Sequence, residues 1–493
     1  MQLPPELPIT EEDWSQTPPS VQAVVCSLWQ RVQVMQAQVD RVQKEVHELH
    51  EQLGRNSQNS SQPPSTDGPK ARARPKRTPS GRKAGGQKGH EGHGRKLVPS
   101  ERVTQVVKLK PTQCACCGAL LMGEDANPAR RQVTEVPRIE PDVVEYQQHT
   151  LVCLGCGEQT TAEWPVDMPT GGFGAYTQAI VAYMSGRIGV SQRDTEEMME
   201  TVFHTDMSLG SVSDQQAEVS AAVAEPVQAA IKYAQQQPAQ NVDETSWREG
   251  NRRTWIWISA TPLVTVFMLI ATRSAQGAKQ LLGIMTATDL VHGIIGSDRW
   301  SGYNWLAPQQ RQLCWAHLKR DFQAMVDRGG ESVRIGQALL SQVELMFGLW
   351  HRIRDGTLSR PEFQVAMQPI ESCVGMLLRD GSTVDCTKTQ RTCANILKLE
   401  VALWTFVRVT GVEPTNNNAE RPLRRAVLWR RRSFGTQSAD GSRFVERVLT
   451  VVTTLRQQKR DVLDYLTEAC TAAIRGAKAP SLLPVASVIN TVS

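Results

Sequence analysis

A chain of 493 residues is too long for one hydrophobic core and divides into roughly three units of ordinary domain size. Its 40% hydrophobic content and mean hydropathy of −0.35 describe a soluble protein, and its longest apolar stretch, Leu263 to Ala271, falls far short of the ~20 residues a membrane span needs. The net charge of +5 is uneven: from Arg55 to Lys96 eleven Lys or Arg face only Asp67 and Glu91, so the rest of the chain is slightly acidic.

The N-terminus, "MQLPPELPITEEDW", is acidic and unlike a secretory signal, so a cytoplasmic location is expected. Eleven cysteines, an odd number without such a signal, point to thiols or metal ligands rather than a disulfide framework. Val21, Val25, Leu28, Val32, Met35, Val39, Val42, Val46, Leu49 and Leu53 recur at alternating spacings of four and three, a heptad seam that Gly54 ends. A helix so long and narrow predicts self-association as a coiled coil, a dimer or higher oligomer; docking on the chain's own core is the alternative.

The segment "GRNSQNSSQPPSTDGPKARARPKRTPSGRKAGGQKGHEGHGRK" lacks the apolar residues that offset the entropy of ordering, and reads as a disordered basic linker. Its Arg72, Arg74, Lys76, Arg77, Arg82, Lys83 and Lys88 suit DNA phosphates, because so dense a positive run gains by releasing counterions. His90 and His93 read as linker residues. "CACCG" and "CLGCG" follow, each a C-x-x-C-G knuckle whose glycine permits the turn that aims backbone amides at the sulfurs. Cys114, Cys117, Cys153 and Cys156 thus predict one structural zinc in a ribbon-like domain, with the alternating stretch between them as a hairpin and Cys116 left over.

From Tyr176 the pattern is helical: Tyr176 to Met184, Ser191 to Phe203 and Ser211 to Ala224, with Ser191 and Ser211 as N-caps. A helix-turn-helix fits these lengths; a plain three-helix bundle fits equally, since the third helix has no Arg or Lys for DNA. Next come a strand through "QNVD", a β-rich pair, "TWIWISA" and "LVTVFMLIAT", a helix from Ser274 to Met285, and an apolar strand, "LVHGIIGSD", ending at Asp298. Strand, hairpin, helix, strand is the opening order of a ribonuclease-H-like α/β domain, in which the first and fourth strands are neighbours. Asp243 and Asp298 then converge. Two such carboxylates repel unless a cation neutralises them, and magnesium, a hard ion, is the economical partner. Two ions about 4 Å apart stabilise both oxygens of an in-line phosphoryl displacement.

The stretch from about Asp327 to Val412 has helical apolar spacing and reads as an inserted subdomain. Cys314 and His317 in "LCWAHLKRDF" make half of a metal site or pack beside the active site, with no second ligand pair evident. A third acid is Glu420. Glu413 precedes Pro414 in a turn, and Glu446 lies in an amphipathic helix with Arg443 and Arg447 as ion-pairing neighbours, whereas Pro422 requires a helix starting near Asn418, capped by the asparagines, with Glu420 at its N-terminal end. Arg421, Arg424, Arg425 and Arg432 fall near one face of that helix, placed for DNA phosphates.

Together, "VDETSWR", "SDRWSGYN", "QRQLCWAHLKRDFQ", "PTNNNAERPLRR" and "SFGTQSADGSRFVERVLTVV" resemble the transposase of insertion-sequence family sixty-six, a bacterial DDE transposase. "LGRNSQNSSQPPS" and "GGQKGHEGH" resemble that family's linker, and the two knuckles its zinc-binding domain, so the resemblance runs in order from about Glu45 to Leu466. It implies cutting of double-stranded DNA at element ends and joining of the freed 3′-hydroxyl to target DNA, on nucleoid DNA. It also implies two magnesium or manganese ions per active site, held by an Asp-Asp-Glu triad that maps onto Asp243, Asp298 and Glu420. Glu244 should face the other side of its strand in a structural role. Two small accessory proteins of the same element are implied partners. A non-transposing nuclease of this fold and an inactive zinc-dependent DNA-binding regulator are the rival readings.

The expected architecture is a multidomain α+β chain. Residues 1–54 form the coiled-coil helix, 55–98 the basic linker, 99–168 the zinc-ribbon-like domain and 169–238 a helical DNA-binding region. Residues 239–326 and 413–470 form the two parts of the ribonuclease-H-like catalytic core, 327–412 the helical insertion, and 471–493 a tail.

Overall fold

The computed structural model describes residues 2–5, 7–60 and 97–484. Most of the predicted basic linker, with its seven DNA-binding candidates from Arg72 to Lys88, lies outside the described residues, as do residues 485–493 of the tail. The chain divides into two compact units, one of residues 1–71, 146–197 and 207–493, the other of 72–145 and 198–206. In chain order the helices and strands are α1 (Glu11–Gln16), α2 (Pro19–Leu53), β1 (Thr150–Val152), β2 (Gln159–Thr161), α3 (Ala175–Tyr183), α4 (Gln192–Phe203), α5 (Leu209–Ala222), α6 (Ala224–Gln235), β3 (Ala239–Glu249), β4 (Arg252–Ala260) and β5 (Thr265–Ile270). They continue with α7 (Ala275–Leu281), β6 (Ile294–Ser297), β7 (Arg311–Leu313), α8 (Trp315–Arg328), α9 (Glu331–Arg354), α10 (Arg360–Gly381), α11 (Thr387–Leu397), α12 (Glu400–Leu403), α13 (Thr405–Arg408), α14 (Asn417–Ser433), α15 (Ala439–Gln457) and α16 (Val462–Ile474).

The larger unit is built on a five-stranded sheet of order β5-β4-β3-β6-β7. β3, β4 and β5 form an antiparallel meander, and β6 lies parallel to β3 with Asn241 opposite Gly296, so the first and fourth strands are neighbours as the element order predicted. β6 is shorter than predicted, four residues long, and β7, an unpredicted three-residue strand, extends the parallel side. Period-two alternation divides the strand residues between the faces. Val242 and Trp257 join Tyr303 and the α7 residues Ala278 and Leu281 on one side; Trp247, Ile256, Ile258 and Phe267 join Ala419, Leu423 and Ala426 of α14 on the other.

β5 is the sheet's edge, and its unpaired amides are satisfied by a ladder on α15. Thr265, Phe267 and Leu269 donate their N–H groups to Thr454 Oγ1, Thr450 Oγ1 and Glu446 Oε2 at 3.1, 3.0 and 2.9 Å. Acceptors four residues apart on one helix face thus meet alternate residues of a strand. Glu446, expected to be paired with Arg443 and Arg447, therefore caps the edge strand; Arg443 pairs with Asp440, and Arg447 donates to the Ser220 carbonyl.

The predicted helices before the sheet exist, and α3 and α5, together with α6, pack as a layer of this unit. Ala179 and Ala182 of α3, Val219 of α5 and Val227, Ala230 and Ala234 of α6 share one core with α15 and α16. Gly186, in the π-turn that ends α3, lies so close to α15 that an added Cβ would meet Val448 Cγ2 at 2.2 Å. Ser191 caps α4 as expected, whereas α5 is capped by Ser208, whose Oγ accepts from Ser211 N, and not by Ser211. Helices α9 to α13 fall within the stretch expected as a helical insertion, and α8, which precedes that stretch, shares one core with them.

α2 runs 35 residues, and its seam is largely exposed from Val21 to Leu53. Its end touches the insertion, where Glu51 pairs with Arg328 and Lys388. Gly54 follows as the C-cap, in right-handed rather than left-handed conformation. No helix among the described residues is long and apolar enough to cross a membrane.

Candidate active site

The site lies where β3, β6, the start of α8 and the start of α14 meet. Asp243 sits mid-β3 on the face that packs against α14, while Glu244, one residue on, turns to the face of Tyr303. Asp298 follows the last residue of β6, the strand parallel to β3, and accepts the Trp300 amide at 2.9 Å. Glu420 stands in the first turn of α14. Burial, then the negative charges of Glu244, Asp298 and Glu420, hold the Asp243 carboxyl well above the ordinary carboxylate range. The structure therefore brings all three sequence-derived acids into one electrostatic neighbourhood.

Two asparagines fix the helix that carries the third acid. Asn416 Nδ2 donates to the Val242 carbonyl at 2.8 Å, and Asn241 Nδ2 donates to the Thr415 carbonyl at 3.3 Å, stitching the α14 approach to the strand of Asp243. Gly296 makes room for this: a Cβ there would stand 2.5 Å from Asn241 Nδ2. The predicted cap differs in detail. α14 starts at Asn417, Asn416 occupies the N-cap without capping through its side chain, and Pro422 falls inside the helix. The Asn416 side chain is spent on β3 instead.

Arg311 supports the second acid from below. It is fully buried, donating Nε to Ser297 Oγ at 3.1 Å and Nη2 to the Asp298 carbonyl at 2.7 Å, and burial lowers its pKa to about 10. Nothing in the sequence marked this arginine, whose strand went unpredicted. Glu244 is answered locally, with Arg273 Nε at 2.8 Å and Tyr303 Oη at 2.6 Å, as befits a structural role.

Cys314 and His317 reach the same place from α8. Cys314 Sγ lies 3.9 Å and His317 Nδ1 3.5 Å from Glu420 Oε1, and Asn416 donates its backbone N–H to Cys314 Sγ at 3.2 Å. Burial and then Glu420 push the Cys314 thiol up to about 12. Among the described residues, these three are the group of Cys, His, Asp and Glu donors that all lie within 4.8 Å of one another; Asp243 and Asp298 do not join it. The third donor beside Cys314 and His317 is Glu420, on an element remote in sequence.

The cysteine knuckles fall in different units and are described separately. In the first, Gly118 with φ +74° donates to the Cys114 carbonyl at 2.9 Å; in the second, Gly157 with φ +78° donates to the Cys153 carbonyl at 2.8 Å. Hydrogen bonds from the Cys117 and Cys116 amides lower the Cys114 thiol, and those from Cys156 and Gly155 lower Cys153, which favours metal-ready thiolates. The predicted hairpin between the knuckles is absent from the described residues. β1 and β2 instead flank the second knuckle itself, and a bridge from Gln113 to Leu120 flanks the first.

The arginines of α14 divide. Arg421 and Arg424 are exposed, whereas Arg425 donates to the Arg187 carbonyl at 3.1 Å and Arg432 to the Gly189 carbonyl at 2.8 Å, so the latter two brace α14 against the turn after α3.

Acids from two adjacent strands and a helix start thus influence one another, and Glu420 also faces His317. The model of the Transposase IS66 family matches residues 173–443, more than half of the chain and all three acids, and the chain belongs to that family. Residues 11–96 match a family of unknown function, DUF6444. The chain is also 25% identical over 202 residues to an uncharacterized protein, y4qI, of Sinorhizobium fredii, a match covering 37% of this chain and 36% of that relative.

Proposed function

We infer that this protein is a DDE transposase that cuts double-stranded DNA at the ends of its insertion sequence and joins the freed 3′-hydroxyls to target DNA. What supports this reading is that Asp298 and Glu420 both bear electrostatically on Asp243 inside the family-matched region, on a sheet whose strand order suits a ribonuclease-H-like core. The donor set fits magnesium or manganese: three hard carboxylates, one with its proton affinity raised by burial and then by the neighbouring acids Glu244, Asp298 and Glu420. Bound there, two such ions would stabilise charge on the attacking and leaving oxygens of an in-line phosphoryl transfer. The chain's own residues do the positioning. Arg311 holds the Asp298 backbone, the Asn241 and Asn416 bridge holds the turn before Glu420, and Arg273 with Tyr303 keeps Glu244 out of the cluster.

Exposed Arg421 and Arg424 beside Glu420 suit the phosphates of the reacting strand, with the basic residues from Arg72 to Lys88 as a second contact. Each knuckle offers thiolates that suit structural zinc, and the exposed α2 seam suits a dimer or higher oligomer. Small accessory proteins of the same element are further candidate partners, and the reaction is assigned to the bacterial cytoplasm, on nucleoid DNA.

The test is a strand-transfer assay using DNA that carries the element's own terminal sequences, taken from its genomic flanks. Wild type is expected to nick and join with magnesium, and Asp243→Asn or Asp298→Asn to do neither. Cleavage without any joined product would replace this reading with a simple nuclease; metal-dependent nicking retained by Asp243→Asn would overturn the triad.

A further inference from the structure

We propose that Cys314, His317 and Glu420 form a second metal site, selective for zinc-like ions over magnesium, which shares Glu420 with the carboxylate cluster. The geometry is close to that of a loaded site. In a tetrahedral zinc centre with ordinary bond lengths, sulfur and oxygen ligands stand about 3.6 Å apart and nitrogen and oxygen ligands about 3.4 Å. Here the Sγ to Oε1 distance is 3.9 Å and the Nδ1 to Oε1 distance 3.5 Å. Three protein ligands leave a fourth position for water.

The scaffold is built before any ion arrives. Cys314 donates its backbone N–H to the Ser297 carbonyl at 2.9 Å, Trp315 donates its own to the Pro414 carbonyl at 2.9 Å, and the Trp315 indole donates to the Leu403 carbonyl at 2.8 Å. These bonds tie the start of α8 to β6, to the turn before α14 and to the insertion. Two polar atoms in this wall are left without hydrogen-bond partners among the described residues: His317 Nδ1, and Oδ1 of Asn416, a residue only 1% exposed. Buried nitrogens and oxygens are nearly always partnered, so a ring nitrogen facing a carboxylate and a thiol is the signature of a ligand position. Ion binding would release the Cys314 thiol proton to solvent, and thiolate with imidazole selects borderline ions where carboxylates alone select hard ones.

The consequence, which rests on the transposase reading, is competition. With zinc on Cys314 and His317, Glu420 is withdrawn from Asp243 and Asp298, and micromolar zinc should inhibit magnesium-dependent cleavage. The binding test is independent of activity. Full-length chain free of magnesium is titrated with cobalt as the probe, reading thiolate-to-cobalt absorption and bound equivalents. Any cobalt on the knuckles is common to all variants, so differences isolate this site. Cys314→Ser and His317→Ala are each expected to bind about one equivalent less than wild type, while Cys373→Ser, a thiol away from the site, matches wild type. If burial makes Cys314→Ser fail to fold, His317→Ala carries the comparison. Equal stoichiometry and equal spectra in wild type and His317→Ala would overturn the proposal.

Discussion

The two glutamates that compete for the role of third acid should separate cleanly by what they damage. Glu446 is largely buried, and its Oε2 accepts the Leu269 amide at 2.9 Å on the sheet edge. Removing the acceptor in Glu446→Ala strands that N–H, and a hydrogen bond to a charged group contributes about 1.5–3 kcal/mol. At about 2 °C per kcal/mol for a unit of this size, the melting temperature should fall by about 3–6 °C. Glu420 takes no part in the core: Ala419, Leu423 and Ala426 hold α14 on the sheet, so the isosteric Glu420→Gln should cost under about 0.5 kcal/mol. Its effect is on charge in the transition state, and magnesium-dependent cleavage should drop about a thousandfold or more, equivalent to about 4 kcal/mol. Differential scanning calorimetry and a nicking assay, both run on both variants well below the melting transition, give four numbers. Near-normal cleavage by Glu420→Gln, or abolished cleavage by a folded Glu446→Ala, would refute the assignment.

The same ladder predicts that Thr450→Val, which removes the acceptor of the Phe267 amide, costs about 1–3 kcal/mol, whereas Thr453→Val, three residues along, is neutral or stabilising because its buried hydroxyl has no partner among the described residues; denaturant melts of the two isosteric variants check this. Because the Asp243 pKa is raised, the folded chain binds that proton more tightly than the unfolded chain, so the protonation contribution is fully present at low pH and is lost as pH rises above the ordinary carboxylate range of about 4. In EDTA the melting temperature of wild type should therefore fall with rising pH relative to Asp243→Asn, and magnesium should restore wild type only. Cys153→Ser should release about one zinc per chain by metal analysis, with loss of order confined to the knuckle region. Arg421→Ala with Arg424→Ala should weaken DNA binding and flatten its dependence on salt, while Arg425→Ala should chiefly lower thermal stability, as its guanidinium braces the Arg187 carbonyl.

What the sequence made legible was whatever local chemistry dictates. Alternating β-rich runs around Thr261 and Pro262 gave the meander, and the helix between it and "IIGSD" forced a parallel return that set Asp298 beside the strand of Asp243. Pro422 and the asparagines placed a helix start near Glu420 to within a residue. Long-range partnership was not legible. The side chain of Asn416 looks like a cap in "PTNNNAE" and serves β3 instead, because a strand carbonyl 174 residues away outcompetes its own helix. Glu446 sits among arginines in the sequence yet answers a strand amide. The arginines of α14 form one stripe in the sequence, but the turn at Arg187 and Gly189 takes two of them. β7 was missed because three residues carry no period.

The neighbouring acids Asp243 and Glu244 show what distinguishes a site from a structural charge. β-strand alternation sends them to opposite faces, and the motif "SDRWSGYN" helps to answer Glu244: Tyr303 donates to it, while Trp300 stacks under Arg273, from outside the motif, whose guanidinium lies 4.6 Å from the ring centroid and pairs with the carboxylate. Asp243 receives no such answer. Among the described residues no Lys or Arg forms an ion pair with Asp243 or Asp298, although Arg311 is buried directly behind Asp298, because it spends its donors on backbone and hydroxyl oxygens. A fold able to neutralise one carboxylate with two aromatic-clamped partners could have neutralised the next. Burial and the neighbouring carboxylates work against charge on Asp243, an electrostatic setting that an added cation would relieve. Arg273 belongs to the other side: it stands on the opposite face of β3 with Glu244, its side chain 38% exposed, and pairs with that carboxylate instead of Asp243.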